Sequence, residues 1–334
     1  MAIASARSDV ALDVRLTSHM SLGMIRYARE LAQRLPLVAS DLRFSTFGRG
    51  DNFDLNEQLG IPLRLARTRP RLAHFLAPYA PLAVPVPYVV TIHDLIDLRY
   101  PQWVKPKARF YYRVVLRRIA RGARAVVTDD RQTAEDLVRF YGLAEKRITV
   151  IPLGVDLPSA AAPVRRSRPY IIYAGNHRPH KDLTTLAEGW RRVDPALELD
   201  LVLTGERDAG LPRVSRTNGE LVFLGRCEHD ALMRWIAGAS ALVHPALVEG
   251  FGLPLLEAAR LGTPAIASDS AVPDVLREHV RTFAAGDAEG LARAVEAAMR
   301  GEERARAERA REATAGLTWD ACARATAGLY RRLL

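Results

Sequence analysis

Residues His244 to Asp269 read HPALVEGFGLPLLEAARLGTPAIASD, and the order of apolar run, glycine turn, helical stretch and second apolar run decides the fold. SALVHPA ahead of the turn and TPAIAS at the far end are short apolar or β-branched runs, and LPLLEAARL between them has helical spacing. Strand, helix and strand in that order make the repeating unit of a parallel sheet. Pro254 suits the first helical position, where its missing N–H would have been unpaired anyway, and Gly262 is an ordinary helix stop. The N–H groups near Phe251, Gly252 and Leu253 then face outward. With the helix dipole they form a site for phosphate oxygens, and Gly252 lets a ligand come close to the backbone. Glu249 and Glu257 flank this anion site. They would repel a bare phosphate, but as acceptor-only groups they suit the hydroxyls of a sugar and of a ribose. The ligand described in this way has phosphate in its middle and hydroxyls at both ends. A plainer use exists for Glu257, which is placed in the first helical turn, where the dipole alone favours a carboxylate.

Outward from this stretch the same rhythm repeats. VALDVRL precedes MIRYARELAQRL, YVVTI precedes ARFYYRVVLRRIA, AVVT precedes TAEDLVRF, and ITVIPL closes the first half. Residues 153–169, rich in Pro, Ala and Ser and without apolar periodicity, read as a linker. The rhythm restarts with YIIYAG, LTTLAEGWRRV, LELDLVLTG, ELVFLG and DALMRWIAG. The expected fold class is α/β, with two doubly wound, Rossmann-like domains, 1–152 and 170–316, facing each other across a cleft. Sheets of that kind bind ligands at the carboxyl ends of their strands, where Gly175, Gly205, Gly225 and the 249–253 turn all fall. The final segment, 317–334, reads as a helix.

Composition sets bounds without choosing a function. At 334 residues two domains of common size are expected, and 49% hydrophobic residues suffice for a core in each. Cys227 and Cys322 are too few for a disulfide framework, and neither lies in a metal-binding spacing, so a reducing, cytoplasmic setting fits. The first residues carry charges and lack the apolar core of a leader peptide. The longest apolar run, Ala80 to Ile92, is broken by three prolines and falls short of the roughly 18 residues of a membrane span. A net charge of +10 points to acidic partners such as phosphorylated substrates, anionic lipid or nucleic acid. Arginine supplies nearly all of it, which looks partly like codon bias. No helix-turn-helix, zinc or RNA-binding aromatic signature accompanies the charge, so nucleic acid is set aside.

Three further segments carry chemistry. In YIIYAGNHRPHKDLTTLAEGW, Lys181 sits where a loop meets a helix, and a point charge there suits a diphosphate leaving group; a solvated lysine is the structural alternative. VVTIHDLIDLRYP ends a buried strand with His93 and Asp94, and an imidazole at a strand end can hydrogen-bond a sugar hydroxyl or shuttle a proton near neutral pH. Arg109, Arg113 and Arg117 lie at helical spacing among aromatic residues. A basic amphipathic helix of this kind can rest on an anionic membrane surface, or it is a solvated face over a packed one.

The stretch from Glu249 to Glu257, two glutamates eight positions apart around GFGLP, resembles the signature of the retaining glycosyltransferases of family 4. That resemblance covers most of the chain and is strongest between 170 and 270. It implies the GT-B fold, with the last helix crossing back to the N-terminal domain. It further implies that Glu249 contacts the donor sugar, Glu257 the ribose, and the amides of Gly250, Phe251, Gly252 and Leu253 the diphosphate. The family places a basic residue and a lysine in the 176–181 loop; here Asn176 stands where many relatives have arginine, and Arg178 is taken as the partner of Lys181. His93 matches the family's histidine and is the first catalytic choice, with Glu249 and Lys181. HMSLGMIRYARELAQRL resembles the acceptor-side glycine loop, so Gly23 and Arg26 are acceptor candidates, although Ile25 replaces that loop's second glycine; Asp94, beside His93, is a further acceptor candidate. The reaction implied is front-side transfer of a hexose from a nucleotide-sugar, with no metal or other cofactor required. VVTIHDLIDLRYP resembles mannosyltransferases of bacterial surface polysaccharide assembly, which favours GDP-mannose over a UDP-hexose. Gly205 and Arg226 are further donor contacts, with base choice expected in the loops after LVLTGERD and FLGRCEHD. The acceptor is a glycan, a lipid-linked molecule or a small molecule. A sugar-nucleotide epimerase on the same fold is the alternative; a phosphorylase is not marked by any lysine that would anchor its pyridoxal phosphate.

Overall fold

A computed structural model describes residues 7–157, 162–207 and 219–334. The short apolar runs become two parallel sheets. The first contains β1 (Val10–Asp13), β2 (Phe44–Phe47), β3 (Leu72–Phe75), β4 (Tyr88–Thr91), β5 (Ala125–Thr128) and β6 (Ile148–Val150), in the order β2-β1-β3-β4-β5-β6. The second contains β7 (Tyr170–Tyr173), β8 (Asp200–Leu203), β9 (Leu221–Phe223), β10 (Ala241–His244), β11 (Ala265–Ser268) and β12 (Arg281–Phe283), in the order β12-β11-β10-β7-β8-β9. Within each sheet every pairing between these strands is parallel. Parallel sheets need both faces covered, and the central strands β1, β3, β4, β5, β7, β8, β10 and β11 are buried along their whole length.

The chain divides into two compact units, Met1–Gly154 with Leu317–Leu334, and Val155–Gly316. The division falls inside the stretch read as a linker, of which residues 158–161 lie outside the described residues. In the second unit, alternation along the strands sorts the core into two layers. Ile171, Tyr173, Leu201, Leu203, Ala241 and Val243 face one way, against Leu186 and Trp190 of the Leu183–Arg192 helix and Leu291 and Val295 of the Ala288–Met299 helix. Tyr170, Ile172, Val202, Leu242, Ala265 and Ala267 face the other, against Ile236, Leu255 and Ala258. Period-two alternation in the strands thus meets period-3.6 stripes on the helices.

In the first unit the Trp319–Leu333 helix packs against the Leu22–Val38 helix. Arg34 pairs with Asp320 (2.5 Å), Arg331 with Asp41 (2.6 Å), and the Tyr330 hydroxyl meets His74 Nδ1 (2.5 Å). The last helix is therefore part of the unit formed by the beginning of the chain.

Each strand order has one reversal. In the first sheet the chain runs to opposite sides from β1, so the reversal lies between β1 and β3; in the second it lies between β7 and β10. A crevice opens outside the carboxyl ends of the strands at such a point, because the connections on either side lead to opposite faces of the sheet.

Candidate active site

The loops after β7 and β10 meet at the reversal in the second sheet. After β10 the chain continues through Pro245 to Glu249, turns at Gly252, and enters the Leu253–Leu261 helix. Gly252 has φ 73° and ψ 49°, a left-handed conformation suited to glycine, and a Cβ there would lie 3.1 Å from Pro273. No side chain caps this helix. Leu255 and Leu256 donate to the Gly252 carbonyl, whereas among the described residues the amides of Gly250, Phe251, Gly252 and Leu253 donate to no partner. These free donors sit on the positive end of the helix dipole. With Gly252 as the cap, Leu253 takes the first helical position and Pro254 the second, one later than expected. Glu257 likewise falls beyond the first turn, which weakens the purely dipolar account of it.

Lys181 reaches the same place from β7. The chain leaves Tyr173 through Gly175, makes a short turn at Pro179–Lys181, and enters the Leu183–Arg192 helix through Asp182. Asp182 sits at φ 48° and ψ 51°, and its carboxylate accepts from the Thr185 amide (3.3 Å) and hydroxyl (2.6 Å). This capped left-handed corner turns Lys181 inward, where it is buried. Its Nζ donates to Glu249 Oε2. His244 Nε2, at the end of β10, lies 2.7 Å from the same oxygen. The Leu247 amide donates to the His180 carbonyl (2.8 Å), tying the two loops together.

Two bases thus converge on one carboxylate oxygen, and Oε1 of Glu249 is left for another donor. Burial alone would raise the Glu249 carboxyl, but the Lys181 charge and the His244 contact outweigh it and hold the group well below the usual carboxylate range. Glu249 is therefore an anion throughout the physiological range. His180 is pushed down to about 4 by burial and by Lys181 and Arg178, which keeps it neutral. Tyr173 lies parallel to the His244 ring at 6.3 Å.

Arg178, expected beside Lys181 at the diphosphate, lies on the same loop, while the ion pair of Lys181 is made with Glu249. Arg178 precedes Pro179 with extended backbone, is exposed, and contributes its carbonyl to the Lys181 amide (2.9 Å). Gly205 is also differently used. Its N–H and C=O both pair with Gly225 (2.9 and 3.1 Å), so it has no free amide to offer. Arg226 is exposed on the loop before the His229–Gly238 helix. Glu257 is buried, with Oε1 3.7 Å from His229 Nδ1 on that helix. The loop after LVLTGERD, one of the two expected to choose the base, falls in residues 208–218, which lie outside the described residues.

In the first unit His93 follows β4 and is buried. Its Nδ1 lies 2.6 Å from Asp129 Oδ2, the Tyr27 ring meets it edge-on at 4.8 Å, and the Leu76 backbone also faces the imidazole. Burial opposes a charged imidazole, but Asp129 overcomes it and raises the affinity of His93 for its proton. Tyr27 in turn bonds Thr91 (3.0 Å), and Thr91 bonds His74 Nε2 (2.9 Å). Asp94 accepts from the Ile96 amide (3.2 Å). Gly23 lies inside the Leu22–Val38 helix, and Arg26 stacks over Trp319 (5.6 Å) and approaches Glu30 (4.0 Å). Arg26 is thereby engaged within its own unit.

Sequence reasoning missed His244 and Asp129. The signal for His244 was present: it is a histidine at the carboxyl end of a predicted strand, the same argument that singled out His93. Asp129 follows AVVT in the same way.

Two family models match adjacent parts of the chain, Glycosyltransferase Family 4 over residues 26–158 and Glycosyl transferases group 1 over residues 168–300. The chain is 30% identical over 264 residues to the glycogen synthase of Mycobacterium tuberculosis, covering 73% of this chain and 63% of that protein. It is 26% identical over 209 residues to O-antigen chain mannosyltransferase B of Escherichia coli, covering 56% of this chain and 55% of that one. The chain thus spans between about half and just under two thirds of these relatives. Among solved structures, sucrose-phosphate synthase from Thermosynechococcus elongatus superposes with a TM-score of 0.74 at 20% identity, over 98% of this chain and 99% of that one. Two adjoining glycosyltransferase modules, each built on a doubly wound parallel sheet, make this chain a member of glycosyltransferase family 4 with the GT-B fold.

Proposed function

We propose that the protein transfers a hexose, with retention, from a nucleotide-sugar to an acceptor hydroxyl, and that GDP-mannose is the favoured donor. The observation that carries this reading is the convergence of Lys181 and His244 on one oxygen of Glu249, beside the free amides of 250–253. Those amides and the helix end would hold the diphosphate, Glu249 Oε1 a hydroxyl of the hexose, and Glu257 the ribose. In front-side transfer the bond from the anomeric carbon to the phosphate oxygen breaks as the bond to the acceptor oxygen forms on the same face. The acceptor proton passes to the departing phosphate, giving a glycoside and a nucleoside diphosphate. The protein's part is position and electrostatics, with Lys181 and the amides meeting the charge that grows on the leaving group, and with no metal required. His93, steered through Nδ1 by Asp129, would present Nε2 to a sugar hydroxyl.

The relatives' names disagree about the sugar, since one is a glycogen synthase and the other a mannosyltransferase. VVTIHDLIDLRYP favours mannose. Thermal unfolding with GDP, UDP, dTDP and ADP in turn tests the reading, because a ligand at 100 times its Kd adds about 2.7 kcal/mol. A selective rise with GDP is expected. A rise with UDP alone would move the donor to a UDP-hexose, and no rise with any nucleotide would overturn the reading.

A membrane-borne acceptor is favoured by one surface. Along Lys105–Arg121, Lys105, Lys107, Arg109, Arg113, Arg117, Arg118 and Arg121 are exposed with Phe110 and Val114, and the segment contains no acidic residue. Phe53, whose ring meets Tyr111 of this segment at 5.0 Å, leads into a second exposed apolar row, Leu55, Leu59 and Leu63. Cations beside exposed apolar side chains suit an anionic bilayer surface. No helix among the described residues is long and apolar enough to cross a membrane. Flotation with anionic vesicles should show association that weakens with salt; its absence would remove the membrane from the proposal.

A further inference from the structure

The reversal in the first sheet also carries an opening. A notch of about 220 Å³, counting its mouth, is lined there by Asp13 at the end of β1 and Arg15 beyond it, Leu76 and Tyr79 after β3, and Thr17 and Asn52. Its floor has room for roughly one water-sized group. The floor is rigid. Arg15 is buried, giving its Nε to both oxygens of Asp13 (3.1 and 2.9 Å), its Nη2 to Asp13 (2.7 Å) and the Tyr79 carbonyl (3.1 Å), and its Nη1 to Glu57 (2.9 Å). Gly48, at φ 99°, closes over this cluster, and a Cβ there would lie 2.3 Å from Asp13.

Two features of the notch are unexplained by packing. Asn52 is only 6% exposed, its Nδ2 donates to the Thr17 hydroxyl (2.6 Å), and its Oδ1 has no partner among the described residues. Exchanging the two amide atoms changes which one is orphaned but leaves an orphan, and a buried polar atom without a partner is costly. Phe53, the next residue, sits at φ 66°, a conformation an aromatic residue rarely adopts. Its side chain is 52% exposed, and its ring stands nearly perpendicular to those of His19 (5.3 Å) and Tyr79 (5.8 Å). An apolar aromatic surface beside one convergent polar group is the composition of a small-molecule site.

We propose that this notch and its aromatic lip form a subsite for a neutral pyranose, with the ring against Phe53 and one hydroxyl or hydroxymethyl group bonded to Asn52 in the notch. The charge at the notch excludes an anionic ligand. Arg15 gives four of its five N–H donors to Asp13, Glu57 and a carbonyl, two carboxylates surround that one cation, and Asp51, which accepts from the Asn52 amide (2.8 Å) and from Ser18 (2.5 Å), adds a third negative charge nearby. A phosphorylated sugar would meet carboxylates around a guanidinium already paired with two of them. The inference rests on the hexosyltransferase reading and supplies its acceptor class: a terminal sugar of a glycan, not a sugar phosphate.

Saturation-transfer NMR on the full chain, with methyl α-D-mannopyranoside and D-mannose 6-phosphate as probes, tests this. The neutral glycoside is expected to bind and the phosphate to bind at least tenfold more weakly. Asn52→Ala and Phe53→Leu should each weaken glycoside binding about tenfold while leaving the nucleotide-induced rise in melting temperature in place. Should Phe53→Leu fail to fold, Phe53→Gly removes the ring and relieves the positive φ together. Absence of glycoside binding, preference for the phosphate, or wild-type binding in both variants would overturn the subsite. A protein that still gains stability from a nucleotide would then remain a sugar-nucleotide enzyme with its acceptor held elsewhere.

Discussion

The two units are built on the same plan, and they differ in which polar groups each leaves open at the reversal of its sheet. In the first, Asp13, Arg15 and Glu57 pair with one another, so the one cation there is already matched by two carboxylates. In the second, Lys181 and His244 share a single oxygen of Glu249, and the second oxygen and a row of amides stay available. The helix entries differ in the same sense. Ser21 caps the Leu22–Val38 helix by accepting from the Met24 amide (3.3 Å), whereas the Leu253–Leu261 helix begins at a bare Gly252. A helix N-terminus attracts anions only where its donors are free, so the proposed phosphate grip falls in the second unit.

The largest effect should come from disabling that grip. Glu249→Gln keeps the volume but loses the charge, and Lys181→Ala removes the cation that faces the leaving group. Each is expected to cut turnover by about 10²–10³ with nucleotide-sugar as substrate, the loss typical of one preorganised electrostatic contact. Circular dichroism must show both variants folded, since removing one partner of a buried pair costs about 3–5 kcal/mol. Normal turnover in either would break the assignment. Because Glu249 is held below the ordinary carboxylate range, lowering the pH to 5 should not remove activity through this residue.

The stretch 244–269 was legible because its information is local: an apolar run, a glycine and a proline within a few residues fix a strand, a turn and a helix. The alternation of strands and helices gave the fold class for the same reason. β2 and β3 were missed, because FSTF is a half-buried edge strand and LAHF is interrupted by a histidine. β12, another short edge strand, was missed with them. Long-range pairs were less legible still. Glu249 was read as a sugar contact, but its union with Lys181 spans 68 positions, and the His74–Tyr330 contact spans 256. No periodicity encodes such pairs, so the contact of Lys181 with Glu249 was not foreseen.

A second difference is thermodynamic. In the first unit burial pushes His74, fully enclosed beneath Tyr330 and Thr91, down to about 3. The unfolded chain binds a proton at this residue below about pH 6.5 and the folded one does not. Its contribution is therefore fully present above pH 6.5 and is lost as the pH falls towards 3, by about 1.4 kcal/mol per pH unit. His180 in the second unit, at about 4, acts in the same direction over a narrower window. Asp130, raised to about 6 by burial, acts oppositely, since the folded state takes up its proton first as the pH falls. Urea unfolding at pH 7.5 and 5.5 separates these terms if His74→Asn is measured beside the parent. The variant should be less stable at pH 7.5 yet lose about 1 kcal/mol less on acidification. Equal losses would show that His74 is not kept neutral in the fold.

The smallest effects test the two helix entries directly. Gly252→Ala puts a Cβ at φ 73°, 3.1 Å from Pro273, and should cost about 1–2 kcal/mol of stability. It should also weaken nucleotide binding, because the turn that aims the amides must shift to admit the methyl group. Ser21→Ala removes a cap and costs about 1 kcal/mol, while Ser21→Gly costs only a few tenths. Neither Ser21 variant should alter the melting shift produced by a nucleotide. The two positions thus make a matched pair in which loss of stability and loss of ligand separate. If Ser21→Gly changed the nucleotide response as much as Gly252→Ala does, the phosphate would be held by helix ends in general, and the distinction between the units would fail.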